Sequence, residues 1–157
     1  MILNDQTIRQ SVEQKKIEVE PLPEDEQYQP ASLDVRIGAH TYDPVENTTV
    51  QTNEVVLHPG DFILGETVER VSLPADIAAL LTGRSSVGRQ GVVVHATAGW
   101  IDPGFDGRIT LEMYNMSDEP VAFDVGERVA QLVFFQMVAP AVEPYDGQYQ
   151  GQDGPVK

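Results

Sequence analysis

Short runs in which apolar and polar residues alternate, each bounded by a Gly- or Pro-rich turn, recur along most of this chain. The alternation is strict from Ile109 to Tyr114, and Leu33, Val35 and Ile37 alternate with charged residues. Because successive side chains of a strand point to opposite faces, such runs predict strands with one buried face. Their number and spacing favour an all-β sandwich or barrel-like fold.

One helical pattern precedes the strands. Ile8 and Val12 form a small apolar stripe within the first 20 residues, behind residues that suit an N-cap. The apolar segment from Ile77 to Leu81 is compatible with either a helical turn or a strand. With neither a linker nor a repeat, residues 1–157 are predicted to form a single domain.

Composition excludes several classes of protein. The chain has no cysteine, and its three histidines are far apart, so a zinc deaminase with a His/Cys ligand set is nearly excluded. A net charge of −15 disfavours binding to nucleic acid, which requires a basic face. No apolar run reaches the ~20 residues of a membrane span and no signal peptide is visible, so the default expectation is a cytoplasmic protein.

The excess of acidic residues also predicts adaptation to high salt. The basic residues are seven arginines and only three lysines, Lys15, Lys16 and Lys157. Salt screens the self-repulsion of a strongly acidic surface, which a high-salt cytoplasm would therefore tolerate. We expect a halophilic source.

Polar residues that suit ligand binding or catalysis are concentrated in residues 83–115. Arg84, Ser85, Ser86 and Arg89 lie in a Gly-flanked segment. Arginine makes bidentate, permanently charged contacts and hydroxyl groups donate hydrogen bonds, so this segment suits a bound polyphosphate. Clusters of Ser and Gly also form ordinary turns, and the arginines could instead form salt bridges between subunits. Both interpretations stay open.

Glu112 is the one carboxylate in the alternating strand from Ile109 to Tyr114. A carboxylate among apolar neighbours suits general acid/base catalysis, because burial moves the pKa of such a group towards neutrality. A glutamate on a strand also commonly faces solvent. Two further charges, Asp34 and Arg36, share one face of an earlier strand, where they either pair at the surface or serve a site and a subunit interface.

The sequence resembles a known family over nearly its whole length. The segments GRSSVGRQG, HATAGWIDPGFDG and ITLEMYN resemble the core motifs of dCTP deaminase and its relatives in the deaminase/dUTPase superfamily. PASLDVRIG, GERVAQLVF at 126–134 and YQGQDGP at 149–155 match in the same order. The resemblance implies a distorted jelly-roll, dUTPase-like β-clip fold. It also implies a homotrimer with active sites at subunit interfaces, and Mg²⁺ bound together with a nucleotide triphosphate.

Three departures from the family pattern are visible. The segment before Val55 lacks an expected insertion, a compact layout that resembles short archaeal members, some of which are dUTPases. The Gly99-Trp100 step and Gln131 resemble the bifunctional relatives that convert dCTP to dUMP. Gln148 stands where the family usually has a lysine, so a phosphate contact from that position is in doubt.

The resemblance assigns roles to individual residues. Glu112 is implied as the catalytic acid/base, Ser85 as a residue that helps place the attacking water, and Asp102 as a group that orients a second water towards the α-phosphate. Asp34 could hold hydrated Mg²⁺, whose remaining ligands are phosphate oxygens and water. The residues implied in substrate binding are Arg84, Ser85, Ser86, Arg89, Ala98, Gly99, Trp100, Ile101, Asp102, Gln131, Tyr145, Tyr149 and Gln152.

Three of these residues, Tyr145, Tyr149 and Gln152, lie in the Gly- and Gln-rich segment 140–157. With too little apolar content to pack alone, this segment is predicted to be a mobile lid that closes over the nucleotide. Two nearby aromatic residues have competing roles. We expect His95 to be a hydrogen-bonded structural histidine and not a proton shuttle, and Trp100 to lie in the core or an interface and not against the ligand.

The function predicted on this basis is hydrolytic deamination of dCTP, either to dUTP and ammonia or onward to dUMP and diphosphate. The first alternative is a dUTP diphosphatase without deaminase activity. The second is a non-catalytic regulatory trimer that binds nucleotide. dUTP is a second candidate substrate and dTTP a candidate inhibitor, and no zinc is expected. The presence of Glu112 favours the deaminase.

Overall fold

The computed structural model describes residues 1–155, and strands dominate it. Val156 and Lys157, the last positions of the predicted lid, lie outside the described residues. The helical segments are α1 (Asp5–Glu13), a 3-10 turn (Asp25–Gln27) and α2 (Ser85–Gly88). The strands are β1 (Glu18–Glu20), β2 (Tyr28–Gln29), β3 (Ser32–Arg36), β4 (His40–Asp43), β5 (Thr48–Gln51), β6 (Glu54–Leu57), β7 (Phe62–Ser72), β8 (Ile77–Gly83), β9 (Val92–Val93), β10 (Trp100–Ile101), β11 (Asp106–Asn115), β12 (Val121–Asp124) and β13 (Arg128–Gln136).

Two antiparallel sheets and one separate strand pair form the fold. The first sheet has the order β5-β4-β7-β11-β9, and β1 also pairs with β7. The second sheet has the order β10-β8-β13-β3-β2, and β12 pairs with β6. The predicted all-β architecture with a short N-terminal helix is confirmed.

Both sheets contribute side chains to one core. Leu111 and Met113 of β11 and Leu132 and Phe134 of β13 are completely buried within it. Burial of a side chain of this size contributes about 1.5–3 kcal/mol, which offsets part of the entropy lost on folding. Because β11 alternates, the side chain of Glu112 points to the opposite face of the first sheet.

The structure of several segments differs from what the sequence predicts, or decides between two predictions that the sequence left open. Residues 62–72 form one eleven-residue strand, although the sequence shows two separate runs there, Phe62 to Leu64 and Thr67 to Leu73. Ile77 to Leu81 belongs to a strand. The short helix α2 has only one buried apolar residue, Val87, so no helical period reveals it. Among residues 1–155 no helix is long and apolar enough to cross a membrane.

Asp34 is buried and Arg36 is partly buried, so the alternative in which both charges pair at the surface does not hold for Asp34. Arg36 donates from Nε to Glu69 Oε1 at 2.7 Å and from its backbone N to Glu69 Oε2 at 2.9 Å. Glu69 is fully buried and also accepts a hydrogen bond from Gln27 Nε2. The strand is covered on both faces, and each buried charge survives because it is paired.

Candidate active site

A cavity of about 420 Å³ lies against the outward face of the first sheet, and we call it the Glu112 cavity. In the β7–β11 register Glu112 lies opposite Leu64, and Tyr114 lies opposite Phe62. Directly opposed residues share a face of the sheet, so Leu64 and Phe62 form an apolar floor beside the carboxylate. The lining residues are Pro44, Phe62, Leu64, Ala98, Ile101, Phe105, Ile109, Thr110, Glu112, Tyr145, Tyr149 and Gln152.

A larger cavity of about 690 Å³ lies elsewhere, between the end of α1, β1 and the Arg70–Asp106 ion pair. It contains none of the predicted site residues. The Glu112 cavity, although smaller, combines one carboxylate with apolar and aromatic walls. That combination is typical of a site for a small organic substrate, so chemistry and not volume identifies it.

The carboxylate of Glu112 is held by the loop that follows β9. Ala96 donates its backbone N–H to Glu112 Oε2 at 2.7 Å. Within residues 1–155, no protein group donates a hydrogen bond to the second oxygen, Oε1. One oxygen is thus fixed by the backbone and the other is available to a substrate or a water molecule, which is the arrangement that proton transfer requires.

The tail, residues 140–155, brings three predicted binding residues to the cavity. Tyr145 donates its backbone N–H to Pro103 O at 2.8 Å, and its ring lies 6.2 Å from that of Phe105. The Tyr145 hydroxyl accepts a hydrogen bond from Tyr149 N. Tyr145, Tyr149 and Gln152 therefore line the cavity together, while the mobility of the tail stays a prediction.

The segment that precedes β11 is divided between two faces. Ala98 and Ile101 line the Glu112 cavity, as the resemblance implies. Trp100 does not line it, because adjacent residues of β10 point to opposite faces. The indole of Trp100 lies 5.5 Å from the ring of Phe135 and donates from Nε1 to Asp102 Oδ1 at 3.1 Å. Trp100 is 54% exposed, so it is not a core residue of this subunit.

Gly99 lies at a close approach of two backbone segments. A Cβ atom at this position would lie 2.5 Å from Leu81 O and 2.9 Å from Cε1 of His95. Leu81 donates its backbone N–H to Gly99 O at 2.7 Å, which fixes the loop. The buried Nδ1 of His95 has no hydrogen-bond partner among residues 1–155, so the expectation of a hydrogen-bonded structural histidine does not hold at this atom.

The predicted phosphate-binding residues lie outside the Glu112 cavity of their own chain. Ser85, Ser86 and Arg89 are exposed on and beside α2, and Arg84 is partly buried in front of it. Arg84 Nε lies 3.0 Å from Asp34 Oδ2, and Arg128 approaches the same oxygen at 3.4 Å. We call this group the Arg84 cluster: Asp34, Arg84, Ser85, Ser86, Arg89 and Arg128.

Asp34 does not fit the role of a magnesium ligand. It is 1% exposed, one carboxylate oxygen is paired with two guanidinium groups, and the other is buried without a hydrogen-bond partner in the described part of the chain. Burial raises the pKa of the Asp34 carboxyl, and the positive charges of Arg84 and Arg128 oppose that shift. Gln131, opposite Asp34 in the β3–β13 register, accepts a hydrogen bond from Ser32 and also lies outside the cavity.

Sequence reasoning missed part of the cavity wall. Phe62 and Leu64 reach the site only through the β7–β11 register, and Pro44 reaches it from the turn between β4 and β5. None of the three belongs to a motif with its own chemistry. A strand assignment alone could not locate them, because register depends on pairing partners that are distant in sequence.

Comparison with known proteins supports a family assignment for this arrangement. The dCTP deaminase-like family matches residues 2–137. A Halobacterium salinarum protein named "dCTP deaminase, dUMP-forming" is 45% identical over 180 aligned positions, which cover 99% of this chain and 92% of the relative. Those 180 positions exceed the 157 residues of this chain by 23, so the relative carries residues that this chain lacks. That the gap precedes Val55 stays a prediction.

Solved structures agree with the assignment. The 2'-deoxycytidine 5'-triphosphate deaminase of Agrobacterium tumefaciens has a TM-score of 0.71 and 27% identity, over 85% of this chain and 47% of that chain. This chain thus spans about half its length. A mutant dUTPase of the S. aureus phage phi11, described with a structural Mg(II) ion, shares the fold with a TM-score of 0.59 at 19% identity, over 84% of this chain and 97% of that chain.

The haloarchaeal source of the Halobacterium relative is consistent with the adaptation to high salt that the acidic composition predicts. Glu112, Ala98 and Ile101 line one cavity, and the roles that the resemblance assigns to them stay predictions. Because the family match and the sequence identity both extend over most of its length, the chain belongs to the dCTP deaminase-like family.

Proposed function

We propose that this protein catalyses the hydrolytic deamination of dCTP and releases dUMP as its final nucleotide product. The observation that carries this proposal is the position of Glu112, on an apolar floor with one oxygen held by Ala96 N and the other available. The dUMP-forming name of a relative that is 45% identical supports the identity of the substrate and product.

The deamination step needs one group that moves protons. Glu112 takes a proton from water as the water oxygen forms a bond to C4 of cytosine, and delivers a proton to N3. Glu112 then takes the proton of the new C4 hydroxyl and delivers it to N4, the C4–N4 bond breaks, and ammonia leaves with the C4 carbonyl of uracil formed. A single carboxylate held in one orientation can serve as base and then as acid, which accounts for one Glu on this face of β11.

Formation of dUMP requires a second hydrolysis, in which water attacks the α-phosphate and diphosphate leaves. Asp102 is not among the lining residues of the Glu112 cavity of its own chain, and its Oδ1 accepts a hydrogen bond from Trp100. We propose that it orients this water in the site completed by a neighbouring subunit, and that Mg²⁺ accompanies the triphosphate through phosphate oxygens and water molecules. Since Asp34 is buried between two arginines, we assign it to the support of Arg84 and not to the metal. Mg²⁺ would supply charge neutralisation on the triphosphate, while the arginines of the protein hold its oxygens.

The proposal includes a homotrimer in which neighbouring subunits share each site. Among residues 1–155, none of the residues that line the Glu112 cavity carries a cationic group for a triphosphate. The Arg84 cluster offers Arg89, Ser85 and Ser86 at the surface of the same chain, outside that cavity. A neighbouring subunit that presents its Arg84 cluster to the cavity would complete a nucleotide site, as the family resemblance implies.

Product analysis tests the proposal against its alternatives. Purified protein is incubated at high salt with Mg²⁺ and either dCTP or dUTP, and the nucleotides are separated by anion-exchange chromatography. We expect ammonia and dUMP from dCTP. Accumulation of dUTP as the end product would contradict the second hydrolysis. Surviving dCTP with conversion of dUTP to dUMP would identify a dUTP diphosphatase, and survival of both would favour a binding protein.

Replacement of Gly99 by alanine is expected to lower kcat/KM for dCTP by about 100-fold, since misplacement of a site by about 1 Å can cost that much. The added Cβ would lie 2.5 Å from Leu81 O, so the loop that holds Glu112 through Ala96 must move. Steady-state kinetics measures the loss, and the melting temperature shows whether the fold persists. Full activity in a folded Gly99→Ala protein would contradict the importance of this loop geometry.

A further inference from the structure

Arg108 lies at an irregularity of β11, where the register with β7 shifts between Arg108 and Thr110. Its Nη1 donates to Thr67 O at 3.0 Å and also contacts Val68 O, both on β7. Its Nε donates to Asp153 Oδ1 of the tail at 2.8 Å. The planar guanidinium is therefore fixed on the sheet by two carbonyl groups and presents a third donor to the tail.

The backbone beside this ion pair also binds the tail. Arg108 donates its backbone N–H to Gln152 O at 3.0 Å, and Gln152 Nε2 donates to Arg108 O at 2.6 Å. Gly151 donates to Asp106 O at 2.7 Å. A Cβ atom on Gly107 would lie 3.0 Å from Gln152 Cγ and 3.1 Å from Gln152 O, so the missing side chain makes room for this contact.

Other contacts of the tail are also mainly polar: Gln150 accepts a hydrogen bond from Asp106 N at 3.1 Å and donates to Gly104 O at 2.9 Å. Tyr149 is 42% exposed, and residues 146–150 are all exposed. Segments with few buried apolar contacts open at low free energy, so individual polar contacts control how often they are closed. Tyr149 and Gln152 both line the Glu112 cavity, and Gln152 is also the residue that exchanges hydrogen bonds with the backbone of Arg108.

We propose that the Arg108–Asp153 ion pair is a positioning element that fixes residues 149–153 on β11 and so places Tyr149 and Gln152 at the nucleotide cavity. Neither residue of the pair lines the Glu112 cavity, so both act through the tail. The identity of the bound molecule as dCTP rests on the proposed function. The attachment of the tail to its own subunit by this ion pair does not depend on the proposed function.

The first measurement is proteolysis of the intact protein without nucleotide, at one salt concentration. Chymotrypsin cleavage after Tyr149 is followed by mass spectrometry in Asp153→Asn, Asp153→Glu and Asp153→Arg. An exposed ion pair shifts such an equilibrium modestly, so we expect cleavage to be about two- to five-fold faster in Asp153→Asn. Asp153→Arg should be faster still because it places like charges together, and Asp153→Glu should stay close to the unaltered protein.

Asp146→Asn is the matched control, because it removes the same charge from the same tail. Asp146 has no hydrogen-bond or ion-pair partner among residues 1–155. We expect its cleavage rate and its affinity for nucleotide to be unchanged. Melting temperatures of all variants verify that they remain folded.

The second measurement is the dissociation constant for dCTP, with kcat and KM beside it. Weaker binding of about two- to five-fold in Asp153→Asn, with a smaller change in kcat and rescue by Asp153→Glu, would support the proposal. Cleavage and binding equal to those of Asp146→Asn would overturn it, as would faster cleavage with unaltered binding. If the protein does not deaminate dCTP but binds dUTP, the same comparison is made with dUTP, so failure of the proposed function is recognised separately.

Discussion

Replacement of Glu112 by glutamine is expected to slow the release of ammonia from dCTP by about 10²- to 10⁴-fold, the usual contribution of a positioned acid/base. Glutamine keeps the size of the side chain, and its amide oxygen can still accept the hydrogen bond that Ala96 N now donates to Oε2 at 2.7 Å. It cannot take a proton from water at neutral pH. Binding should therefore change far less than turnover, and an ammonia assay together with titration calorimetry of dCTP measures the two effects.

Glu119→Gln is a suitable control for this experiment. Glu119 is exposed in the turn between β11 and β12, and only its backbone is hydrogen-bonded in residues 1–155. The Glu119→Gln substitution removes the same charge as Glu112→Gln, but residue 119 does not line the Glu112 cavity. We therefore expect normal turnover. Ammonia release that persists in Glu112→Gln at the rate of Glu119→Gln would show that Glu112 is not the acid/base.

The largest effect on stability is expected from Arg36→Met. This change leaves the fully buried carboxylate of Glu69 without the guanidinium that lies 2.7 Å from it. Breaking a buried ion pair by removing one partner costs about 3–5 kcal/mol, because the remaining charge is buried and uncompensated. Denaturant unfolding at constant salt measures the loss as a lower midpoint.

Two further variants separate the buried charge from other effects of the substitution. Arg36→Met combined with Glu69→Leu removes both charges, and we expect it to be more stable than Arg36→Met alone. Glu24→Gln alters the other carboxylate near Arg36, which is 3.4 Å away and mostly exposed, and should cost less than about 1 kcal/mol. A loss in Arg36→Met no larger than that in Glu24→Gln would refute the importance of the buried pair.

Local patterns predicted much of the fold. In β11, Leu111 and Met113 are buried and Glu112 lies on the other face, as a period of two requires. The N-cap at Asn4 follows from local chemistry in the same way, since its side chain accepts a hydrogen bond from Thr7 N. The extent of β7 did not follow, because its two apparent runs are joined by residues whose burial depends on the strands paired with them.

The chain by itself determined which residues can carry chemistry. The chemistry of a site in this chain is restricted by three features of the sequence. The chain has no cysteine, it has a single carboxylate in the alternating strand 109–114, and it has one segment that combines serine with arginine. Those properties depend on residue type and on periods of two or four residues, which sequence displays directly.

Only the tertiary structure decided where these residues lie relative to one another. It placed the partly buried Glu112 in a cavity to which Pro44, Ala98 and Tyr149 contribute from three separate segments. It also placed the Arg84 cluster outside the cavity of its own chain, and paired Arg108 with Asp153 across 45 residues. Strand register and long-range packing have no local signature, since they depend on the combined burial of residues far apart in the chain.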